Sequence, residues 1–148
     1  MYGALKFDLD SQHRLAICRP AGALDEEFTD QLLRFLLALE ELTSDPFDRV
    51  LDLSRVTDIS LNSASVRAYA DARREATAHL AAFRTAIIAH GPGTESAAKL
   101  YGVLCKDSQI RVEVFRDASS AAAWLAVPVE SIHRQAAGAA SHKLPRSN

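Results

Sequence analysis

The amino-acid sequence predicts an α/β domain built on a mixed, largely parallel sheet of about five strands with crossover helices. Three observations predict it. Short apolar segments of strand length alternate with amphipathic segments of helical period along most of the chain. Capping or turn-forming residues stand at the junctions. Only the first two strand-like segments are joined by a tight turn, Asp10-Ser11-Gln12-His13, so they form a hairpin while the later strands require crossovers.

Taken in order, Ala4 to Asp8 and Arg14 to Arg19 alternate apolar and polar side chains, and Pro20 with Gly22 closes the second strand. Asp25 is the expected N-cap of the first helix, with Glu26 and Glu27 placed favourably in its first turn. Phe28, Leu32, Phe35, Leu39 and Leu42 follow at helical spacing as the buried face, and Thr43-Ser44-Asp45-Pro46 ends the helix. Leu33 and Leu37 widen that face, either beneath neighbouring loops or as an exposed apolar strip suited to self-association.

Arg49 to Leu53 is a strand of the kind covered on both faces, and Ser54 to Asp58 is a turn. An alanine-rich helix runs from about Asn62 to Leu80, carrying Val66, Tyr69, Ala72 and Ala76 at helical spacing. Ala86 to Ala89 is apolar strand, and His90-Gly91-Pro92-Gly93-Thr94 leads into a helix over Glu95 to Leu104. Ile110 to Phe115 alternates as the last strand, and Ala118 to Leu125 is a short helix bearing Trp124. The sheet therefore contains segments 4–9, 14–19, 49–53, 84–89 and 110–115, with the last three parallel through right-handed crossovers.

The 148 residues suffice for one domain, expected over 1–127. Residues 128–148 form an extension, with a short helix near Ser131 to Ala137 and disorder from Gly138 to Asn148. Hydrophobic residues make up 48% and charged residues 24%, an ordinary globular balance. With 17 basic against 19 acidic residues there is no basic footprint for nucleic acid. No uncharged apolar run is long enough for a membrane span, and Asp8 and Asp10 follow the start without a signal-peptide core, so a cytoplasmic location is expected. Cys18 and Cys105 are read as reduced core residues, and the scattered histidines and cysteines form no metal-ligand spacing. No metal and no cofactor are expected.

The element order, with Gly22-Ala23-Leu24-Asp25 opening the first helix, resembles the STAS domains of the SpoIIAA-like, anti-sigma-factor-antagonist kind. Val50-Leu51-Asp52-Leu53-Ser54-Arg55-Val56-Thr57 is similar to that family's strand and turn. Val112 to Asp117 followed by Ala121-Ala122-Ala123-Trp124-Leu125 is similar to its closing strand and helix. The resemblance covers about residues 4 to 127. It implies the SpoIIAA-like fold with helices mainly on one side of the sheet. It also implies a non-enzymatic, regulatory role with a protein partner, an anti-sigma factor or kinase-like regulator. Such domains are switched by a phosphorylated serine in an Asp-Ser-Ser-Gly motif at the start of the second helix. Matched without a gap, Ser60-Leu61-Asn62-Ser63 takes those positions and puts Asn62 at the phosphoacceptor. A two-residue shift makes Ser60 the candidate. Neither register supplies the glycine.

Two surface clusters carry the site expectations. Asp58, Ser60, Asn62, Ser63 and Ser65 are either helix-capping residues or a binding and regulatory surface on an exposed helix N-terminus. His90, Gly91, Gly93 and Thr94 are either a strand-to-helix turn with Thr94 as N-cap or a loop for an anion or small ligand. The spacing matches neither a dinucleotide fingerprint nor a P-loop. No nucleophile elbow or locally paired cysteine is present, so no catalytic residue is assigned. The expected function is a protein-interaction module, which pairs with a regulator or, through Leu33 and Leu37, with itself. The alternative is a small-molecule binder with a pocket near the start of the second helix and the 90–94 loop.

Overall fold

The computed structural model of the chain describes residues 7–42 and 45–133. Its first elements are β1 (Phe7–Asp10), β2 (Leu15–Cys18), β3 (Ala21–Leu24), α1 (Glu26–Glu41), β4 (Asp48–Asp52) and β5 (Arg55–Ile59). They are followed by α2 (Ser63–Thr77), β6 (Phe83–Ile88), α3 (Pro92–Leu104), β7 (Ile110–Phe115), α4 (Ala118–Leu125) and α5 (Val129–His133).

The main sheet has the order β1-β2-β4-β6-β7, antiparallel only in the opening hairpin and parallel at every later pairing. Asp10 closes the hairpin turn by accepting from the His13 backbone N–H at 3.1 Å. The parallel pairing of the last three strands is the predicted one, and so is the five-stranded, mostly parallel sheet. Residues 4–6 of the first predicted strand lie outside the described residues.

Two strands depart from the prediction. Ala21–Leu24 and Arg55–Ile59, read above as a strand end and a turn, pair in parallel as a separate two-stranded sheet. Exposed Arg55, Thr57 and Asp58 leave β5 without a continuous apolar run, so its pairing rests on backbone hydrogen bonds that a side-chain pattern does not announce. Gly22, at φ 88, supplies the left-handed step next to the register shift between Gly22 and Ala23.

Asp25 caps α1 as expected, accepting from the Phe28 N–H at 2.8 Å. The buried row, however, is Phe28, Leu32, Phe35, Leu36 and Glu40. Leu42 is the C-cap residue and is 82% exposed, so it is not part of the core. Leu33 is half-buried and Leu37 is 37% exposed. Positions 43 and 44 of the predicted helix stop lie outside the described residues.

The remaining helices are shifted at their ends. In α2 the cap is Asn62 and the helix ends at Thr77, before the expected Leu80; its buried row is Val66, Ala70, Arg73 and Thr77. The predicted row of Tyr69, Ala72 and Ala76 is half-buried. Pro92 starts α3, since its missing N–H costs nothing in a first turn, and Gly91 rather than Thr94 holds the N-cap position. The Thr94 hydroxyl instead donates to the Gly91 carbonyl at 3.1 Å.

Both faces of the sheet are covered. Side chains from α1, α2 and α3 pack with Ala16, Cys18, Leu51, Ile87 and Val112 on one face. Residues of α4 and α5 pack with Leu15, Ile17, Val50, Ala86 and Ile88 on the other. Ile132 is buried in this second core, so the packed chain continues past Val127. Arg84 ties the layers together: it donates to Asp48 at 2.7–3.0 Å and to the Trp124 and Leu125 carbonyls at the end of α4. The predicted helix beyond His133 and the predicted disorder from Gly138 lie outside the described residues. Among the described residues, no helix is long and apolar enough to cross a membrane.

Candidate functional site

The serine-rich cluster lies where β5 leads into α2. Asp58, Ser60, Asn62 and Ser63 are exposed. The Ser60 N–H donates to the Leu24 carbonyl at 2.9 Å, anchoring the turn to β3. Asn62 Oδ1 accepts from the Ser65 N–H at 2.8 Å, which satisfies one of the free donors at the start of α2. Ser65 is half-buried, with its hydroxyl 2.7 Å from Glu26 Oε2 and 3.0 Å from Asn62 Oδ1. An acid of α1 thus already stands at this helix end, where a second anion would be repelled.

The 90–94 loop is its neighbour. A Cβ placed on Gly93 would fall 2.8 Å from Ile59 Cγ2, so glycine is needed there to let α3 approach β5. His90 is exposed, Thr94 is buried by its bond to Gly91, and Glu95 in the first turn pairs with Lys99 at 3.1 Å and Arg116 at 3.4 Å. Ile59 therefore joins the two predicted clusters into one continuous edge.

The group with the largest departure from ordinary burial was not foreseen. Glu40 on α1, Arg49 on β4 and Arg73 on α2 meet inside the protein with only 5%, 5% and 1% of their surface exposed. Arg73 Nη1 and Nη2 donate to Glu40 at 3.0 and 2.5 Å, and Arg49 Nη1 donates to it at 2.5 Å. Arg49 also donates through Nε to the Phe47 carbonyl at 3.2 Å and lies 4.0 Å over the Phe83 ring. Burial pushes the Glu40 carboxyl up, but the hydrogen bonds and charges of Arg73 and Arg49 prevail and hold it below its usual range. Burial pulls the Arg49 guanidinium down, and Arg73 adds to that fall, more than Glu40 restores. Arg73 has the better share of the carboxylate and ends above its ordinary value despite burial.

This cluster borders a cavity of about 90 Å³ between the sheet and α1, α2 and α3. Its wall is chiefly apolar, with Leu32, Leu36, Val66, Ile87 and Ala98 among the contributors; Arg49, Arg73, Tyr69, Tyr101, Thr85 and Cys18 add polar groups. Tyr69 and Tyr101 lie with ring centres 5.4 Å apart, and burial pushes both hydroxyls up, so they stay protonated. Burial likewise keeps Cys18 a neutral thiol. The cavity reaches Leu61 and Val66 near the start of α2, but Ser60, Asn62, His90, Gly91, Gly93 and Thr94 do not line it. Asn62 and Thr94 instead spend their polar groups on a cap and a turn, and Ser60 and His90 face solvent.

A serine, a histidine and an aspartate also come together at Ser131, His13 and Asp10. Asp10 Oδ2 lies 2.9 Å and Ser131 Oγ 3.3 Å from the same ring nitrogen, His13 Nδ1. A relay needs the nucleophile and the acid on opposite nitrogens, so this is a structural clasp between β1 and α5.

Comparison with known proteins agrees with the architecture. No protein-family model matches the chain, and no curated protein matches it. Among solved structures, an uncharacterised protein of the DUF3478 family from Shewanella loihica PV-4, described as having a SpoIIAA-like fold, superposes with a TM-score of 0.55 at 19% identity over 84% of this chain and 94% of that one. The anti-sigma factor antagonist SpoIIAA in its unphosphorylated form superposes with a TM-score of 0.45 at 16% identity over 65% and 82%. The chain is an α/β domain of the SpoIIAA-like fold.

Proposed function

We propose that this chain is a non-enzymatic binding domain that holds a small, largely apolar molecule between its sheet and α1–α3. The cavity of about 90 Å³ carries this reading, because it is a concave, chiefly apolar space between the sheet and three helices. A cavity with an apolar body and a few convergent polar groups is the usual form of a ligand site. Two unpaired cysteines, Cys18 and Cys105, suit a cytoplasmic setting.

A second reading is docking of a protein partner, an anti-sigma factor or kinase-like regulator, on the edge formed by Asp58, Ser60, Asn62, Ser63 and Ser65 beside His90, Gly91, Gly93 and Thr94. The exposure of most of this edge favours it. Native mass spectrometry of protein purified gently from its host separates the two. A small adduct that is lost on denaturation supports the first reading. A bare chain that co-purifies with a stoichiometric protein, released by Asp58→Lys, would overturn it in favour of the second.

A further inference from the structure

We infer that the molecule held in the cavity is a small aliphatic carboxylate whose acid group completes the Arg49–Glu40–Arg73 cluster. The inference rests on the ligand-binding reading above and names the ligand's class. The cluster sets two guanidiniums against one carboxylate. Among the described residues, neither arginine forms an ion pair with any other acid, and the nearby Tyr69, Tyr101 and Cys18 are held neutral by burial. One positive charge is therefore left over in a place almost closed to water. An unmatched buried charge is strongly unfavourable, and a mobile anion is the simplest remedy.

The geometry puts that charge beside the cavity. The bonds within the cluster engage Nε and Nη1 of Arg49 and both Nη atoms of Arg73. Both arginines belong to the cavity wall, as do the two tyrosines and Thr85. The rest of the wall is hydrocarbon, which favours an alkyl body and disfavours phosphate or sulfate, whose several polar oxygens would be left without partners. A cavity of this volume, smaller than the roughly 150 Å³ cavity that takes benzene, suits an alkyl body of about three or four carbons, with the acid group against the arginines of the wall. Isobutyrate has that size and shape.

The test compares isobutyrate with its neutral isostere isobutyramide on the full chain, by thermal unfolding at constant ionic strength. Isobutyrate should raise the melting temperature by about 3–6 °C at ten times its Kd, with isobutyramide at least tenfold weaker. Ala98→Leu, which fills the cavity without touching the cluster, should abolish the shift. If acid and amide stabilise equally, and only when Ala98 is intact, the carboxylate class is wrong while the cavity remains a ligand site. An isobutyrate shift that survives Ala98→Leu places the anion elsewhere and overturns the inference. If neither compound shifts the transition, the inference and the ligand-binding reading for molecules of this size both fail.

Discussion

Glu40 of α1 and Arg73 of α2 face each other in a two-point contact, Oε1 to Nη1 at 3.0 Å and Oε2 to Nη2 at 2.5 Å, with both side chains almost fully buried. The contact joins two helices of the same layer and sets where their apolar rows stop. A buried pair contributes little net stability when intact, since desolvation offsets attraction, but losing one partner is costly. Glu40→Leu would leave both guanidiniums without their counter-ion. It should destabilise the fold by about 3–5 kcal/mol in urea unfolding. A loss under about 1 kcal/mol, the level of an exposed pair, would show that water reaches the cluster.

The same carboxylate predicts an acid response. Glu40 is held below its ordinary value of 4.5, so its contribution is complete above that pH and is lost as pH falls through the lower folded value. The stability gap between the wild type and Glu40→Gln should therefore be constant from neutral pH down to about 4.5 and should narrow below it. Asp10 also titrates low, but it does so equally in both proteins and cancels in the difference. A gap that widens on acidification would contradict the assignment.

Asn62 should make the start of α2 inert to phosphorylation, since an amide accepts no phosphoryl group. Its cap on the Ser65 N–H would keep the helix end in one state. Incubation with host lysate and ATP, read by intact mass and peptide mapping, should add nothing at Asn62 and nothing at Ser65, whose hydroxyl is tied to Glu26. Phosphate mapped to Ser60 would show that the shifted register is the working one. Asn62→Ser serves as the control for the presence of a kinase.

Leu33 and Leu37 lie about 40° apart on α1, beside its buried row. We expect weak self-association through this strip, with Leu33→Glu/Leu37→Glu moving the protein toward monomer in analytical ultracentrifugation. A wild type that is monomeric at high concentration would show that this degree of exposure is too small to drive pairing.

The main sheet was legible because its inner strands are apolar runs and its helices carry capped, periodic faces; Asp25, Asn62 and Asp117 stand at helix starts as caps. The second sheet was not, because β5 pairs through backbone while showing polar side chains. The buried charge cluster was hidden for a related reason. Charged residue types are seldom buried, and only position betrayed Glu40 and Arg73: Glu40 stands four residues after Leu36 and Arg73 seven after Val66, each on its helix's buried row. The apparent end of α1's apolar face then slid to Leu42. No pattern in a sequence announces a cavity, since its volume is what three helices and a sheet fail to fill. The exposed serine cluster was easy to notice because capping and regulation use the same residue types.

The central claim is that this interior space has a natural occupant. Methyl-resolved NMR spectra of the full chain, taken as purified gently from its host and again after denaturation, dialysis and refolding, test it most directly. The account predicts that resonances of Leu32, Leu36, Val66, Ile87 and Ala98 differ between the two samples and that the small molecule recovered from the dialysate restores them. Superimposable spectra, or differences confined to the Asp58–Ser65 edge, would contradict it.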